Sequence, residues 1–131
     1  MQPGDLLPEI EHVTDTKQQF MYNAALWNAH RIHFDFPYAT EVEGYPGLVI
    51  AGPLMGEWLT QCVNDWLGED GRLISFEYSN RRAAYVGDVL HSSGKVVSIE
   101  PETGTVVLEL QVSNDAGEVI TPGTVVVRFE D

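Results

Sequence analysis

Leu54, Met55, Trp58, Leu59, Cys62, Val63, Trp66 and Leu67 recur with a period of about 3.6 residues, and Glu57, Thr60, Gln61, Asn64 and Asp65 fill the gaps. No other feature constrains the chain as strongly, because a helix with one apolar face is stable only where something covers that face. Gly52-Pro53 opens the helix, at a position where proline's missing N–H costs nothing. Gly68 is placed to close it in a left-handed cap. Core packing alone accounts for the stripe, so Trp58 and Cys62 are expected to be buried and chemically idle.

The cover comes from the second half of the chain. Arg72 to Ser79, Asp88 to Glu100, Thr105 to Ser113 and Val119 to Phe129 read as strands, the second with a bend near Ser92-Ser93-Gly94. Val106, Leu108, Leu110 and Val112 alternate onto one face, as do Val125, Val127 and Phe129. Glu102-Thr103-Gly104 and Asn114-Asp115-Ala116-Gly117 supply the turns. A sheet with one face to bury and one long helix to bury it gives an α+β fold. Upstream, residues 1–15 read as an irregular lead-in, Thr16 to Trp27 as a strand, and Asn28 to Tyr38 as a loop with a helical turn. At 131 residues, with no repeat or linker, the chain is expected to be one domain.

Twenty acidic residues against seven basic ones give a net charge of −13. Such a field repels phosphate backbones and anionic lipid, so neither nucleic acid nor a membrane surface is an expected partner. No apolar run approaches the roughly 20 residues that span a bilayer. The first residues, Met1 to Glu11, have neither the basic region nor the apolar core of a signal peptide. Cys62 is the single cysteine, which suits a reducing compartment, and the cytoplasm is the expected location.

Chemistry concentrates in Asn28-Ala29-His30-Arg31-Ile32-His33-Phe34-Asp35. Imidazole titrates near neutrality, so its two histidines are the first candidates for moving protons. A surface loop with solvated or helix-capping histidines reads equally well. A metal site is the weakest option, since His-x-x-His with one carboxylate is a poor ligand set. A second feature is Gly47-Leu48-Val49-Ile50-Ala51-Gly52-Pro53-Leu54, an apolar run ending at the mouth of the long helix. Free N–H groups and the helix dipole converge there, and Gly52 is the natural donor because Pro53 has none. Such a donor can hold a thioester oxygen as it becomes enolate-like, although a plain helix start is the simpler explanation.

Taken together, the two features make residues 16–129 resemble the MaoC-like acyl dehydratases and (R)-specific enoyl-CoA hydratases. The hydratase motif of that family reads Asp-x-Asn-Pro-Ile/Leu-His-x-Asp. Ile32, His33 and Asp35 match it, while Asn28 stands in place of the catalytic Asp, His30 in place of Asn, and Arg31 in place of Pro. The variant resembles one branch, the mitochondrial-type 3-hydroxyacyl-thioester dehydratases and the itaconyl- or mesaconyl-CoA hydratases. Tyr22, Tyr38-Ala39 and Glu43-Gly44-Tyr45-Pro46-Gly47-Leu48-Val49 are similar to that branch too. Ala51 departs from the branch's usual His before the helix-opening Gly, and Arg82-Ala83-Ala84-Tyr85 is an atypical flank to Gly87-Asp88.

The resemblance implies a hot-dog fold, an antiparallel sheet wrapped around the helix from Pro53 to Leu67. It implies reversible syn addition of water to a trans-2-enoyl thioester of coenzyme A or acyl carrier protein. His33 is then the general base and acid, Asn28 orients the water, and His30 shares the proton or supports the loop. Gly52 holds the thioester oxygen, with Arg31, Tyr45 and Leu54 as further substrate contacts. No metal or redox cofactor is needed; coenzyme A enters only as part of the substrate. Its phosphates would have to meet Arg31, Arg81, Arg82 or Lys95, or a partner's basic groups. Hot-dog units pair, so a homodimer or a heteromer with a second hot-dog subunit is expected. Two other readings stand beside this one: a non-catalytic hot-dog subunit that supports a catalytic partner, and a hot-dog thioesterase using an acidic residue such as Glu57.

Overall fold

The computed structural model describes residues 1–130. In chain order the elements are β1 (Ile10–Val13), α1 (Thr16–Ala25), a 3-10 turn (Arg31–His33), a π-helical turn (Tyr38–Val42), α2 (Gly52–Leu67), β2 (Gly71–Tyr78), β3 (Val89–Glu100), β4 (Thr105–Asn114) and β5 (Val119–Phe129). The strands form one antiparallel sheet in the order β1-β3-β4-β5-β2. That is the α+β architecture expected from the alternation of the last four strands and the single long apolar helix.

The core lies between α2 and one face of this sheet. Leu54, Met55, Trp58, Leu59, Cys62, Val63 and Leu67 of the helix are buried against Leu90, Val106, Leu108, Leu110, Val112, Val125 and Val127. Each such side chain contributes about 1.5–3 kcal/mol by leaving water. Trp66 sits at the margin of the core, its ring edge-on to Phe129 with centroids 5.6 Å apart. Trp58 is stacked on His12 at 4.3 Å, which ties α2 to the β1 edge of the sheet.

Three expectations need correction. The segment read as a strand from residue 16 is the helix α1, capped by Asp15, whose side chain accepts from the Gln18 N–H at 2.7 Å. Its buried positions are the polar Gln19 and Asn23, while Phe20 and Met21 face outward. The apolar periodicity that betrays a helix is therefore inverted. The lead-in is not wholly irregular: Ile10–Val13 pairs with β3, from Ile10 opposite Ser92 to Val13 opposite Val89. Four residues are too few to show a period, and this strand exists because β3 offers it an edge. Third, β3 keeps its register with β4 through Ser92-Ser93-Gly94, and its one register shift there falls between Val96 and Ser98. Gly94 makes room for Leu110 across the ladder, where a Cβ would collide with the leucine methyl. Gly68 has the expected positive φ of 63°, but its ψ of −143° puts it in a glycine-only region outside the left-handed helical well.

Candidate active site

The site is assembled from the excursion between α1 and α2. At the end of α1, Trp27 turns the chain with a φ of 57°, an unfavourable conformation for a residue with a side chain. The Asn28 N–H then returns to the Asn23 carbonyl at 2.8 Å. The Asn28 side-chain oxygen accepts from the His30 N–H at 3.1 Å, which starts the 3-10 turn that carries His33. Arg31 closes that turn by donating to Asp35 at 3.0 and 2.8 Å, with its guanidinium 4.2 Å above the Tyr38 ring. Asp35 in turn accepts from the Tyr38 N–H. The guanidinium beside Asp35 holds its carboxyl below the ordinary carboxylate range.

His33 is buried, with 8% of its surface exposed. Its Nδ1 lies 2.7 Å from the Val49 carbonyl oxygen, which only accepts, so Nδ1 carries the proton and the Nε2 lone pair is left free. Burial pushes the imidazole below its ordinary pKa of 6.5; the Val49 carbonyl pulls the other way, and nearby His30 adds to the lowering. A neutral imidazole with an unprotonated Nε2 is the form a general base needs at neutral pH. The His30 ring is exposed and tilted beside it, with centroids 5.6 Å apart.

Residues 49–51 lead directly into α2. The Val49 N–H bonds to the Ile32 carbonyl at 3.0 Å, and the Ile50 N–H to the Ala84 carbonyl at 2.8 Å. At the helix start, Leu54 and Met55 donate back to the Ala51 carbonyl at 3.0 and 3.4 Å, and Pro53 has no N–H. The Gly52 N–H therefore stands without an acceptor among the described residues, at the positive end of α2. A Cβ at Gly52 would run into the Asn80 amide nitrogen, and Asn80 is oriented by Thr121, whose hydroxyl lies 2.8 Å from the Asn80 side-chain oxygen. A side chain at 52 would push the exposed Asn80 amide aside and break its bond to Thr121.

The other expected contacts are scattered. Leu54 has its side chain in the core and its N–H bonded, so it offers the site no donor. Tyr45 is half-buried, its ring 6.3 Å from that of Tyr85, beside a cleft of about 540 Å³ lined by Phe36, Pro46, Leu48 and Tyr85. Among the basic candidates, Arg31, Arg82 and Lys95 each face a carboxylate: Asp35, Glu118 and Glu109 respectively. Arg81 reaches only the Ser79 hydroxyl, at 3.4 Å, among the described residues. Glu57 is exposed one turn inside α2. Among the described residues no group of three or more His, Cys, Asp or Glu is placed to hold a metal ion.

Sequence reasoning missed Gln19, Asn23 and Asn80. Gln19 and Asn23 share the inner face of α1, and the i, i+4 spacing of two amides within a run of apolar neighbours was the available signal. Asn23 is buried with both amide atoms unbonded to protein among the described residues. Gln19 is wholly buried and fully bonded.

Residues 7–86 match the family described as hydroxyacyl-thioester dehydratase type 2. The chain belongs to that family. It is 51% identical over 66 residues to a mesaconyl-C(4)-CoA hydratase of Chloroflexus aurantiacus, a match covering 47% of this chain and 24% of that enzyme. The match thus spans about a quarter of the relative's length. An (R)-hydratase from A. caviae involved in PHA biosynthesis superimposes with a TM-score of 0.90, over 99% of this chain and 98% of that one, at 14% identity. A 3R-hydroxyacyl-ACP dehydratase complex from Mycobacterium tuberculosis gives 0.78 over 97% and 96%, at 16% identity. At such identities the superpositions establish the fold alone: this member of the hydroxyacyl-thioester dehydratase type 2 family is a hot-dog domain. No helix among the described residues is long and apolar enough to cross a membrane.

Proposed function

We propose that the chain is a hydro-lyase adding water reversibly to a trans-2-enoyl thioester to give a 3-hydroxyacyl thioester. The observation that carries this reading is the tautomer of His33, set by its 2.7 Å bond to the Val49 carbonyl in the segment that opens α2. In the hydration direction His33 Nε2 takes a proton from water as the water oxygen bonds to C3. The electron pair released from the double bond moves onto the thioester oxygen, where the Gly52 N–H and the α2 dipole meet it. His33 then returns the proton to C2, which balances the addition. The scheme asks no metal or redox group to act, because the thioester itself acidifies the carbon beside it. Asn28 holds the loop through His30 and is the nearest candidate in sequence to orient the water. Arg81, next in the chain to the Asn80 that lies against Gly52 and facing no carboxylate among the described residues, is a candidate to meet a carrier phosphate.

The carrier is coenzyme A or acyl carrier protein, and the working assembly is a pair of hot-dog units, either two copies or this chain with a second subunit. A relative about four times the length of the matched segment, and a structural neighbour that is a complex, support pairing. The lone buried Cys62 supports a cytoplasmic setting. One observation favours the supporting-subunit reading: an amide whose oxygen already accepts from the His30 N–H stands at Asn28, where the family motif has a carboxylate.

The test is enoyl absorbance of crotonyl-CoA followed with the purified chain, alone and with any co-purifying subunit. Turnover that is lost in His33→Ala supports the hydro-lyase. Turnover only with a partner, and unaffected by His33→Ala, makes this chain the supporting subunit.

A further inference from the structure

The inner face of α1 carries a carboxamide that binds three backbone groups at once. Gln19 Nε2 donates to the Val49 carbonyl at 2.6 Å and to the His33 carbonyl at 3.0 Å, and Gln19 Oε1 accepts from the Ala51 N–H at 3.0 Å. Its side chain has no exposed surface. The Val49 carbonyl therefore accepts twice, from Gln19 and from His33 Nδ1, which uses both of its lone pairs. The same amide fixes the residue carrying the base and the residue immediately before Gly52. α1 itself has no other polar anchor of this kind, since the amide of Asn23 makes no protein bond among the described residues.

We propose that Gln19 is a positioning residue for the base. Its amide holds the Val49 carbonyl at the point where His33 Nδ1–H must donate, locking the Nε2 lone pair as the reactive one and fixing its distance from the Gly52 N–H. The proposal rests on the reading of His33 as the base. A carbonyl held by one partner only can swing, and the neutral imidazole then samples the tautomer protonated at Nε2, which cannot accept a proton from water.

The test uses the full chain labelled with 15N-histidine, with the His33 resonances assigned by their loss in His33→Ala. Above the imidazole titration the wild-type ring is expected to show protonated Nδ1 and bare Nε2. Gln19→Met, close in length and without hydrogen-bonding atoms, is expected to shift His33 toward the other tautomer. Its kcat for crotonyl-CoA hydration should fall about tenfold or more while KM changes less than about twofold. Gln19→Asn keeps an amide one methylene short and is expected to fall between the two; it serves if Gln19→Met does not fold. A side chain that merely stabilises the fold would lower the melting temperature and leave the tautomer of the folded protein unchanged, and that result overturns the proposal. A wild-type His33 protonated at Nε2 overturns it without any variant. A tautomer shift with unchanged turnover refutes His33 as the base and with it the catalytic meaning of the clamp, while the clamp itself stands.

Discussion

The two helices of this fold are buried by opposite means. α2 presents leucine, valine, methionine and tryptophan to the sheet and is held by contact area. α1 buries Gln19 and Asn23, leaves Phe20 and Met21 exposed, and is held by directed bonds to the loop and to residues 49–51. Area is tolerant of small displacements, whereas an amide with three backbone partners fixes positions to a fraction of an ångström. The tolerant contact builds the core, and the exacting one sits where the proposed base and N–H donor would have to keep their spacing. Site precision here comes from buried polar groups, with the apolar core acting as their frame.

The contrast breaks most visibly at His33. His33→Ala should lower hydration by about two orders of magnitude or more with folding retained by circular dichroism; His30→Ala, an exposed ring, should do much less. Retained turnover in His33→Ala would remove the chemical meaning of the polar region. A pH profile comes next. Neutral His33 is the active form in the proposed reaction and its folded pKa lies below 6.5, so kcat/KM should hold through neutrality. It should then fall about tenfold per pH unit once the pH drops below that lowered value. Stability follows the same sign. The unfolded imidazole binds the proton more readily, so the contribution of buried His33 is complete above 6.5 and is lost as the pH falls through the folded value. An acid limb above pH 6.5 would contradict the burial that causes the shift.

Smaller effects separate the two regions by stability. Gly52→Ala puts a methyl where the Asn80 amide lies; the exposed amide swings aside at the loss of its Thr121 bond, so the change should cost about 0.5–1.5 kcal/mol in denaturant unfolding. Asn80→Ala in the same chain should recover much of that loss, and strict additivity of the two changes would show that Asn80 is not what excludes a side chain at 52. At the apolar end, Cys62 is buried with its thiol pKa raised by that burial. Cys62→Ala should cost about 1 kcal/mol and leave specific activity nearly unchanged. A dead but folded Cys62→Ala enzyme would place chemistry inside α2 and abolish the division between the helices.

The sequence by itself determined α2, the four strands from β2 to β5, and the α+β class. Each of these buries apolar side chains on one face, so the period of the chain reports the geometry. It also brought out the loop carrying His33 and the glycine that opens α2, through residue types whose chemistry is legible without coordinates. Only the tertiary structure decided that residues 16–25 form a helix, because a helix that buries polar side chains and is anchored by the Gln19 amide writes no apolar period. Only it made Ile10–Val13 a strand, since so short a segment takes its conformation from the edge it joins. The tautomer of His33 was equally out of reach. It depends on a carbonyl sixteen residues away and on an amide fourteen residues earlier, both brought to the ring by the fold.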